Sequence, residues 1–191
     1  VAIKGREFPF DVGVINGKYF TYTAAFGLFT DASYETSQTT KNILGRLAYV
    51  LEGVKRLPNW KSYDMEITCG DTIIQDNFIF GMVTNSTSVG GFKGITGKDV
   101  LLDDGAFEGI FIKTPQNVID LQSIINDLLT GKINSELIYS FPVKDIHLVS
   151  KEPVPWTTDG EFGGEFSETN IQIIKQALTI MRSPNEIKEI T

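Results

Sequence analysis

The sequence predicts a mainly β chain, a β-sandwich-like domain carrying two inserted helices at about residues 39–57 and 115–130. Three observations point there. Short runs alternate apolar and polar residues, as in Val143-Lys144-Asp145-Ile146-His147-Leu148-Val149, the period-2 pattern of a half-buried strand. Turn signals, Asn16-Gly17 above all, separate such runs. The 13 Phe and 6 Tyr among 191 residues suit a pleated surface, where aromatic side chains pack well.

Asp11 to Tyr22 reads as a hairpin: Val12 and Val14 alternate with Gly13 and Ile15, Asn16-Gly17 turns, and Tyr19-Phe20-Thr21-Tyr22 returns. Ala24-Ala25-Phe26-Gly27 follows, small enough for a ligand to approach closely or for a strand end to pack tightly. From about Thr39 to Leu57 the period becomes helical, with Ile43, Leu47, Val50, Leu51 and Val54 on one stripe and Pro58 ending it. Gly45 and Gly53 each weaken this helix by about 1 kcal/mol relative to Ala, which suggests close packing or a helix that moves. Met65 to Cys69 is a strand, Gly70-Asp71 a turn, and Asn77 to Thr84 a mostly apolar central strand. A long Gly- and Asp-rich stretch from Gly90 to Gly105 is of the kind that carries function. After a strand at Phe107 to Lys113, Thr114 as N-cap and Pro115 in the first turn open the second helix. Its expected buried stripe is Val118, Leu121, Ile124, Ile125, Leu128 and Leu129, and Gly131 closes it. Strands follow at Leu137 to Val149 and Asn170 to Met181. Residues 1–184 read as one domain and 185–191 as a loose tail. No repeat interrupts this order.

The formal net charge of −7 argues against a nucleic-acid binder, which normally carries a basic stripe. Cys69 is the single cysteine, so no intrachain disulfide forms, and an inert thiol is the expectation, with no base near it in sequence. His147 is the single histidine, and its run places it on a strand face with Asp145 and Val149, opposite Ile146 and Leu148. One His and one Cys make a His/Cys zinc site improbable. No apolar run is long enough for a transmembrane helix, and the first residues lack a signal-peptide pattern. The chain opens at Val1 without a methionine, which leads us to expect a fragment.

Three constellations carry chemistry. In Leu101-Leu102-Asp103-Asp104-Gly105 a turn lets a carboxylate and neighbouring carbonyls converge on a hard cation; a solvated Asp-Gly turn is the plainer reading. In Trp156-Thr157-Thr158-Asp159-Gly160-Glu161 two carboxylates stand two residues apart, on one side of an extended backbone. Such a pair raises affinity for Mg²⁺ or raises one pKa so that the group acts as a base. An acidic hairpin turn is the alternative. Asn85-Ser86-Thr87 matches a glycosylation pattern, but Asn85 at the end of a core strand is better read as pinning a loop through its side chain.

The order of these pieces is more specific than any one of them. Gly17-Lys18-Tyr19-Phe20, Ala25-Phe26-Gly27, Leu44-Gly45-Arg46-Leu47, a core strand ending in Asn85, Asp103-Asp104-Gly105, Gly131-Lys132 and Asp159-Gly160-Glu161 follow one another from Asp11 to Pro184. This succession resembles the carboxy-terminal domain of the diacylglycerol kinase and sphingosine kinase superfamily, especially the bacterial lipid kinases. The resemblance implies a two-domain enzyme with its active site in the cleft between them. Its amino-terminal α/β domain carries a Gly-Gly-Asp-Gly-Thr nucleotide motif, which this chain lacks. Carried onto these residues, the family's pattern makes Glu161 the base for a lipid hydroxyl and Asp159 a Mg²⁺-linked or orienting carboxylate. Asp104 would hold a supporting Mg²⁺ with the carbonyls of Leu101 and Ala106. Two positions depart from the pattern: Gly97-Lys98-Asp99 replaces Pro-x-Ala, and Ala106-Phe107-Glu108 replaces Leu-Leu-Asp.

The implied cofactors are Mg²⁺ and ATP as co-substrate, the latter bound mainly by the amino-terminal domain. The implied partners are a membrane lipid and that domain, with no nucleic acid; a homodimer stays open. A cytoplasmic protein at the membrane surface is expected, with this chain inactive alone. Phe26, Phe29 and the Leu44–Val54 helix are candidates for contact with the lipid tail. A non-catalytic β-sandwich module binding lipid or protein is the competing reading.

Overall fold

A computed structural model describes residues 5–28, 60–86, 88–89, 92–93 and 100–182. The first strands are β1 (Arg6–Ile15), β2 (Lys18–Phe20), β3 (Thr23–Gly27), β4 (Tyr63–Cys69) and β5 (Thr72–Thr84). Then come β6 (Ser88–Val89), β7 (Phe92–Lys93), β8 (Phe107–Lys113) and helix α1 (Val118–Thr130). The chain closes with β9 (Ile138–Val143), β10 (Asp145–Thr158) and β11 (Glu161–Arg182). Every pairing is antiparallel.

The main sheet runs β2-β1-β11-β10-β3-β5-β8-β9, with β4 bridging β10 and β5. That bridge folds the sheet back on itself. One half of β10 pairs with β4 and its other end with β3, and β5 divides itself between the same two strands. The layers so formed enclose an aromatic core in which Phe26 packs edge-on to Trp156 and Tyr63, at 5.0 and 5.6 Å between ring centroids. Phe20, Phe78, Phe107 and Phe111 fill the rest and are fully buried. The mainly β, sandwich-like expectation therefore holds.

A second core lies on the other face of the sheet. There Leu121, Ile124, Ile125 and Leu128 of α1 cover Ile79, Met82, Ile110 and Ile112. Each such buried side chain contributes about 1.5–3 kcal/mol relative to exposure. Leu129, assigned to the stripe from sequence, is 45% exposed, and Asp127 is buried instead. The helix begins later than expected. Its N-cap is Asn117, whose side chain accepts from Asp120 N–H, while Asp120 accepts from Gln116 N–H. Thr114 does not cap it: its hydroxyl has no hydrogen-bond partner among the described residues, and its N–H donates to the Asn77 carbonyl. Gly131 closes the helix in the left-handed conformation, as expected. The helix expected at 39–57 and the tail at 185–191 lie outside the described residues.

The Asn16-Gly17 turn forms with φ of 44° and 84°, and Asn16 locks it to β11 through Asn170 N–H and the Glu168 carbonyl. Irregularities matter more for the site. Pairing of β1 with β11 shifts between Phe10 and Val12, leaving Asp11 opposite a bulge. Beyond it the two strands continue as a ribbon with Leu178, Ile180 and Met181 exposed.

Candidate functional site

The tip joining β10 to β11 is the two-residue turn Asp159-Gly160, with φ of 51° and 89° between the paired Thr158 and Glu161. Two positive φ angles suit the twist of a tight hairpin, and Asp tolerates this region better than most residues. The backbone is therefore not extended here, and the shared face expected for Asp159 and Glu161 does not arise from strand alternation. Asp159 turns towards the β2–β3 connection instead. Its Oδ1 accepts the N–H groups of Tyr22 and Thr23, both at 2.9 Å. Its Oδ2 accepts Thr21 N–H at 2.8 Å and the Thr21 hydroxyl at 3.1 Å. Four donors on one carboxylate make it an anchor for residues 21–23. Glu161 is exposed, and its carboxylate takes no hydrogen bond or ion pair from a described residue. Beside it Phe162 is 56% exposed.

The second constellation, residues 101–106, is a loop leading into β8. Asp104 is exposed, and its Oδ1 accepts the N–H of Ala106 at 3.0 Å, an Asx-type turn. The Leu102 carbonyl accepts Asp11 N–H at 2.9 Å and, at a long 3.4 Å, Asn85 Nδ2. The Asp103 carbonyl accepts Gln176 Nε2 at 3.3 Å. Among the described residues the loop is thus tied down through the Leu102 and Asp103 carbonyls, not through those of Leu101 and Ala106.

The two constellations belong to one end of the fold. Tyr22 donates its N–H to Asp159 and accepts at its carbonyl from Asn85 N–H and the Thr84 hydroxyl. Asn85 in turn reaches Leu102. Asn85 does pin a loop, and it is also the hub between the acidic motifs, a role that its position at a strand end did not reveal. It is 3% exposed, and its Oδ1 has no hydrogen-bond partner among the described residues. Such a buried acceptor ordinarily finds a partner.

Sequence reasoning also missed Glu108. It stands at the start of β8 opposite Thr84 and Pro142. Burial, and secondly the charge of Asp104, push its carboxyl above the ordinary glutamate range. Tyr22 is likewise raised by burial, with a hydrogen bond to Ser86 opposing the shift.

The other sequence candidates separate from this end. Phe26 is fully buried in the aromatic core, so it is a packing residue rather than a tail contact. Phe29 and Leu44–Val54 lie outside the described residues. Cys69 is half-buried, and burial followed by the Asp145 charge pushes its thiol above the ordinary cysteine range. His147 is a partly exposed strand residue bonded through Nδ1 to Asn170 Oδ1 at 2.7 Å, with Ile146 and Leu148 buried opposite. Among the described residues no group of three His, Cys, Asp or Glu side chains gathers as a metal site.

Comparison with known proteins agrees with this architecture. The sequence signature of the family described as "YegS C-terminal NAD kinase beta sandwich-like domain" matches residues 25–182. A diacylglycerol kinase of Staphylococcus carnosus is 30% identical over 190 residues, covering 98% of this chain and 60% of that protein. One from Bacillus subtilis is 29% identical over 180 residues, covering 94% and 59%. The chain thus spans about three fifths of the length of these relatives. A solved diacylglycerol kinase from Bacillus anthracis superposes with a TM-score of 0.62 at 19% identity, over 94% of this chain and 56% of its own. An NAD kinase from Archaeoglobus fulgidus, solved with ATP, shares the fold at a TM-score of 0.51 and 10% identity, over 96% and 58%. The chain belongs to the YegS C-terminal, NAD kinase beta sandwich-like family, the carboxy-terminal domain of diacylglycerol kinase-type proteins.

Proposed function

We propose that this chain is the lipid-facing half of an ATP-dependent lipid kinase and is inactive alone. The observation that carries the reading is the match of nearly the whole chain to diacylglycerol kinases, with Glu161, which has no partner among the described residues, at the tip of the β10–β11 hairpin. Phosphoryl transfer to an alcohol needs a carboxylate to receive the hydroxyl proton while the oxygen attacks the γ-phosphorus and ADP departs. Glu161 is free to do this. Asp159 is the orienting carboxylate: with both oxygens occupied, it holds residues 21–23 against the tip that carries Glu161.

The donor set of the 101–106 loop suits a hard cation such as Mg²⁺, which takes one or two carboxylates and oxygen donors and keeps several waters. Asp104 Oδ2 and the carbonyls of Leu101 and Ala106 would hold it. A cation there would supply positive charge to offset the carboxylate of Asp104 and the charge of the phosphates. The phosphate cradle for ATP belongs to the amino-terminal domain of the family. The exposed Leu178 and Ile180, which alternate onto one face of the β1–β11 ribbon, are the apolar surface we assign to contact with that domain. No helix among the described residues is long and apolar enough to cross a membrane. Peripheral contact with the lipid surface, on the cytoplasmic side where ATP is available, follows instead from the lipid-alcohol and ATP substrates of this reading.

The test is Glu161→Gln and Glu161→Ala in the full-length protein, assayed with Mg²⁺, ATP and a panel of lipid alcohols. A loss in kcat of about 10²–10⁴ with little change in stability is expected. Near-normal turnover in both variants would favour a non-catalytic binding module. ATP-dependent phosphorylation of diacylglycerol by the 191-residue chain alone would overturn the assignment of inactivity.

A further inference from the structure

Phe20, Tyr22, Ala24 and Phe26 are alternate residues from β2 through its connection into β3. Phe20, Ala24 and Phe26 belong to the aromatic core. Among the described residues the Tyr22 ring joins neither core, and it is 40% exposed. Packing therefore does not account for an aromatic side chain at this position. Its backbone, by contrast, is held on both sides. The N–H donates to Asp159 Oδ1 at 2.9 Å, and the carbonyl accepts Asn85 N–H at 3.0 Å and the Thr84 hydroxyl at 2.7 Å. Thr21 and Thr23 donate to the same Asp159 carboxylate. A side chain that must meet a ligand in one geometry is best carried on backbone fixed in this way.

Glu161 stands on the same side of the sheet. Ala24 pairs with Thr158 and Thr158 with Glu161, so these side chains share one face. Alternation puts Tyr22, two residues before Ala24, on that face as well. Next to Tyr22, just beyond β5, Asn85 adds a buried amide whose Oδ1 has no hydrogen-bond partner among the described residues. A carboxylate, a phenol and an amide oxygen thus border one end of the aromatic core. The phenol also has a defined polarity. Ser86 hydrogen-bonds it in the sense that lowers its pKa, which is donation to the phenol oxygen, while burial outweighs that and keeps the proton in place. A hydroxyl can accept one hydrogen bond and donate another at the same time. As a donor it suits a carbonyl oxygen and not an ammonium group.

We infer that Tyr22 is a specificity-determining residue of the acceptor site: its phenol donates to a carbonyl oxygen beside the reacting hydroxyl, so that ester-bearing lipid alcohols are preferred over ether-linked or amino alcohols with the same tails. This role presupposes the lipid-kinase reading, in which Glu161 receives the hydroxyl proton. Glu161 acts on the reacting oxygen whichever lipid is bound, and Tyr22 reads the group next to it.

The test is steady-state kinetics of the full-length protein with Mg²⁺ and ATP in mixed micelles. The two substrates are a diacylglycerol and the dialkylglycerol of equal chain length, which has no carbonyl. The parent is expected to favour the ester in kcat/KM. Tyr22→Phe keeps the ring and removes the donor, and should raise KM for the ester about three- to tenfold with kcat little changed, the usual loss for one neutral hydrogen bond. The preference for ester over ether should collapse with it. A merely structural role would slow both substrates alike and leave their ratio in place, which would overturn the inference, as would a parent without ester preference. Ser86→Ala guards against misfolding of the first variant: it keeps the phenol and removes its orienting partner, so the ratio should fall by a smaller factor, and an unchanged ratio would overturn the role. A parent inactive on both lipids, or one that keeps full activity as Glu161→Gln, would remove the lipid-kinase reading and this role with it. A parent that is active, sensitive to Glu161→Gln and indifferent to Tyr22→Phe would leave that reading standing and overturn the role of Tyr22 alone.

Discussion

Asp159 and Thr23 hold each other reciprocally: the Thr23 N–H donates to Asp159 Oδ1 at 2.9 Å, and the Asp159 N–H donates to the Thr23 carbonyl at 2.8 Å. With Thr21 and Tyr22 on the same carboxylate, the hairpin tip and the β2–β3 connection are one rigid piece. Asp159→Ala removes the acceptor for three backbone N–H groups and places Ala at a positive φ. The site is exposed, so we expect a loss of about 1–3 kcal/mol in urea unfolding. Asp159→Asn keeps one acceptor oxygen and tolerates the turn, so its loss should be about half as large. Equal stability of the Ala variant and the parent would show that this anchor adds nothing.

These partners explain what the sequence could reveal and what it could not. Turns and the helix period are local: Asn16-Gly17, Gly70-Asp71 and the Leu121–Leu128 stripe each declare themselves within a few residues. The donors to Asp159 lie 136 to 138 residues away, and no local pattern encodes them. The same is true of Asp11, whose carboxylate accepts N–H groups 94 and 165 positions along the chain. The pairing of β5 with β8 shifts between Phe78 and Phe80, so simple alternation misassigns its faces. A bulge is written in the partner strand as much as in its own sequence. The carboxylates stand out as motifs, but their division of labour is set by the folded chain.

Glu108 makes stability depend on pH in a definite direction. Burial, then the Asp104 charge, raises its folded-state pKa above the unfolded value. Its favourable contribution is therefore complete below the ordinary glutamate range and is lost as pH rises through the raised value. Glu108→Gln should match the parent near about pH 4 and be the more stable of the two near neutrality. Urea midpoints measured across that range check it. Added Mg²⁺ should narrow the neutral-pH difference if a cation sits at Asp104. A difference that grows towards acid pH would reverse the sign and sink the account.

Asp127 acts in the opposite sense. Burial alone would raise its pKa, but hydrogen bonds from Ser135 and Asn134 outweigh burial and lower it. Its Oδ2 accepts the N–H groups of Asn134 and Ser135 at 3.1 and 2.9 Å, tying the end of α1 to the segment that enters β9. A depressed carboxyl contributes stability above the ordinary aspartate range and loses it as pH falls through the folded value. Asp127→Asn should cost about 1–3 kcal/mol at neutral pH. That gap should close on the acid side, as the parent's carboxylate protonates. Denaturation curves at both ends of the range decide this, and a gap that stays constant would mean that the charge is irrelevant.

The run Ala24-Ala25-Phe26-Gly27 poses a choice between a ligand approach and tight packing, and its glycine decides for packing. Gly27 has φ of 85°, and a Cβ there would lie 2.1 Å from the Ile79 carbonyl oxygen. That obstacle is backbone in a paired strand, so nothing nearby can yield. At Gly81, opposite Phe26, an added Cβ would meet Phe26 Cε1 at 2.3 Å and Phe111 Cδ1 at 2.7 Å. Those are rings, which can shift at a cost of about 1–3 kcal/mol. Gly27→Ala should therefore be the worse variant, combining a steric clash with a strained positive φ, and we expect a loss above about 3 kcal/mol. Thermal and urea unfolding of the two variants give the ranking. If Gly81→Ala proved the more damaging, the aromatic core around Phe26 would be stiffer than the strand backbone beside it. The small residues would then serve the rings and not the close approach of β3 to β5.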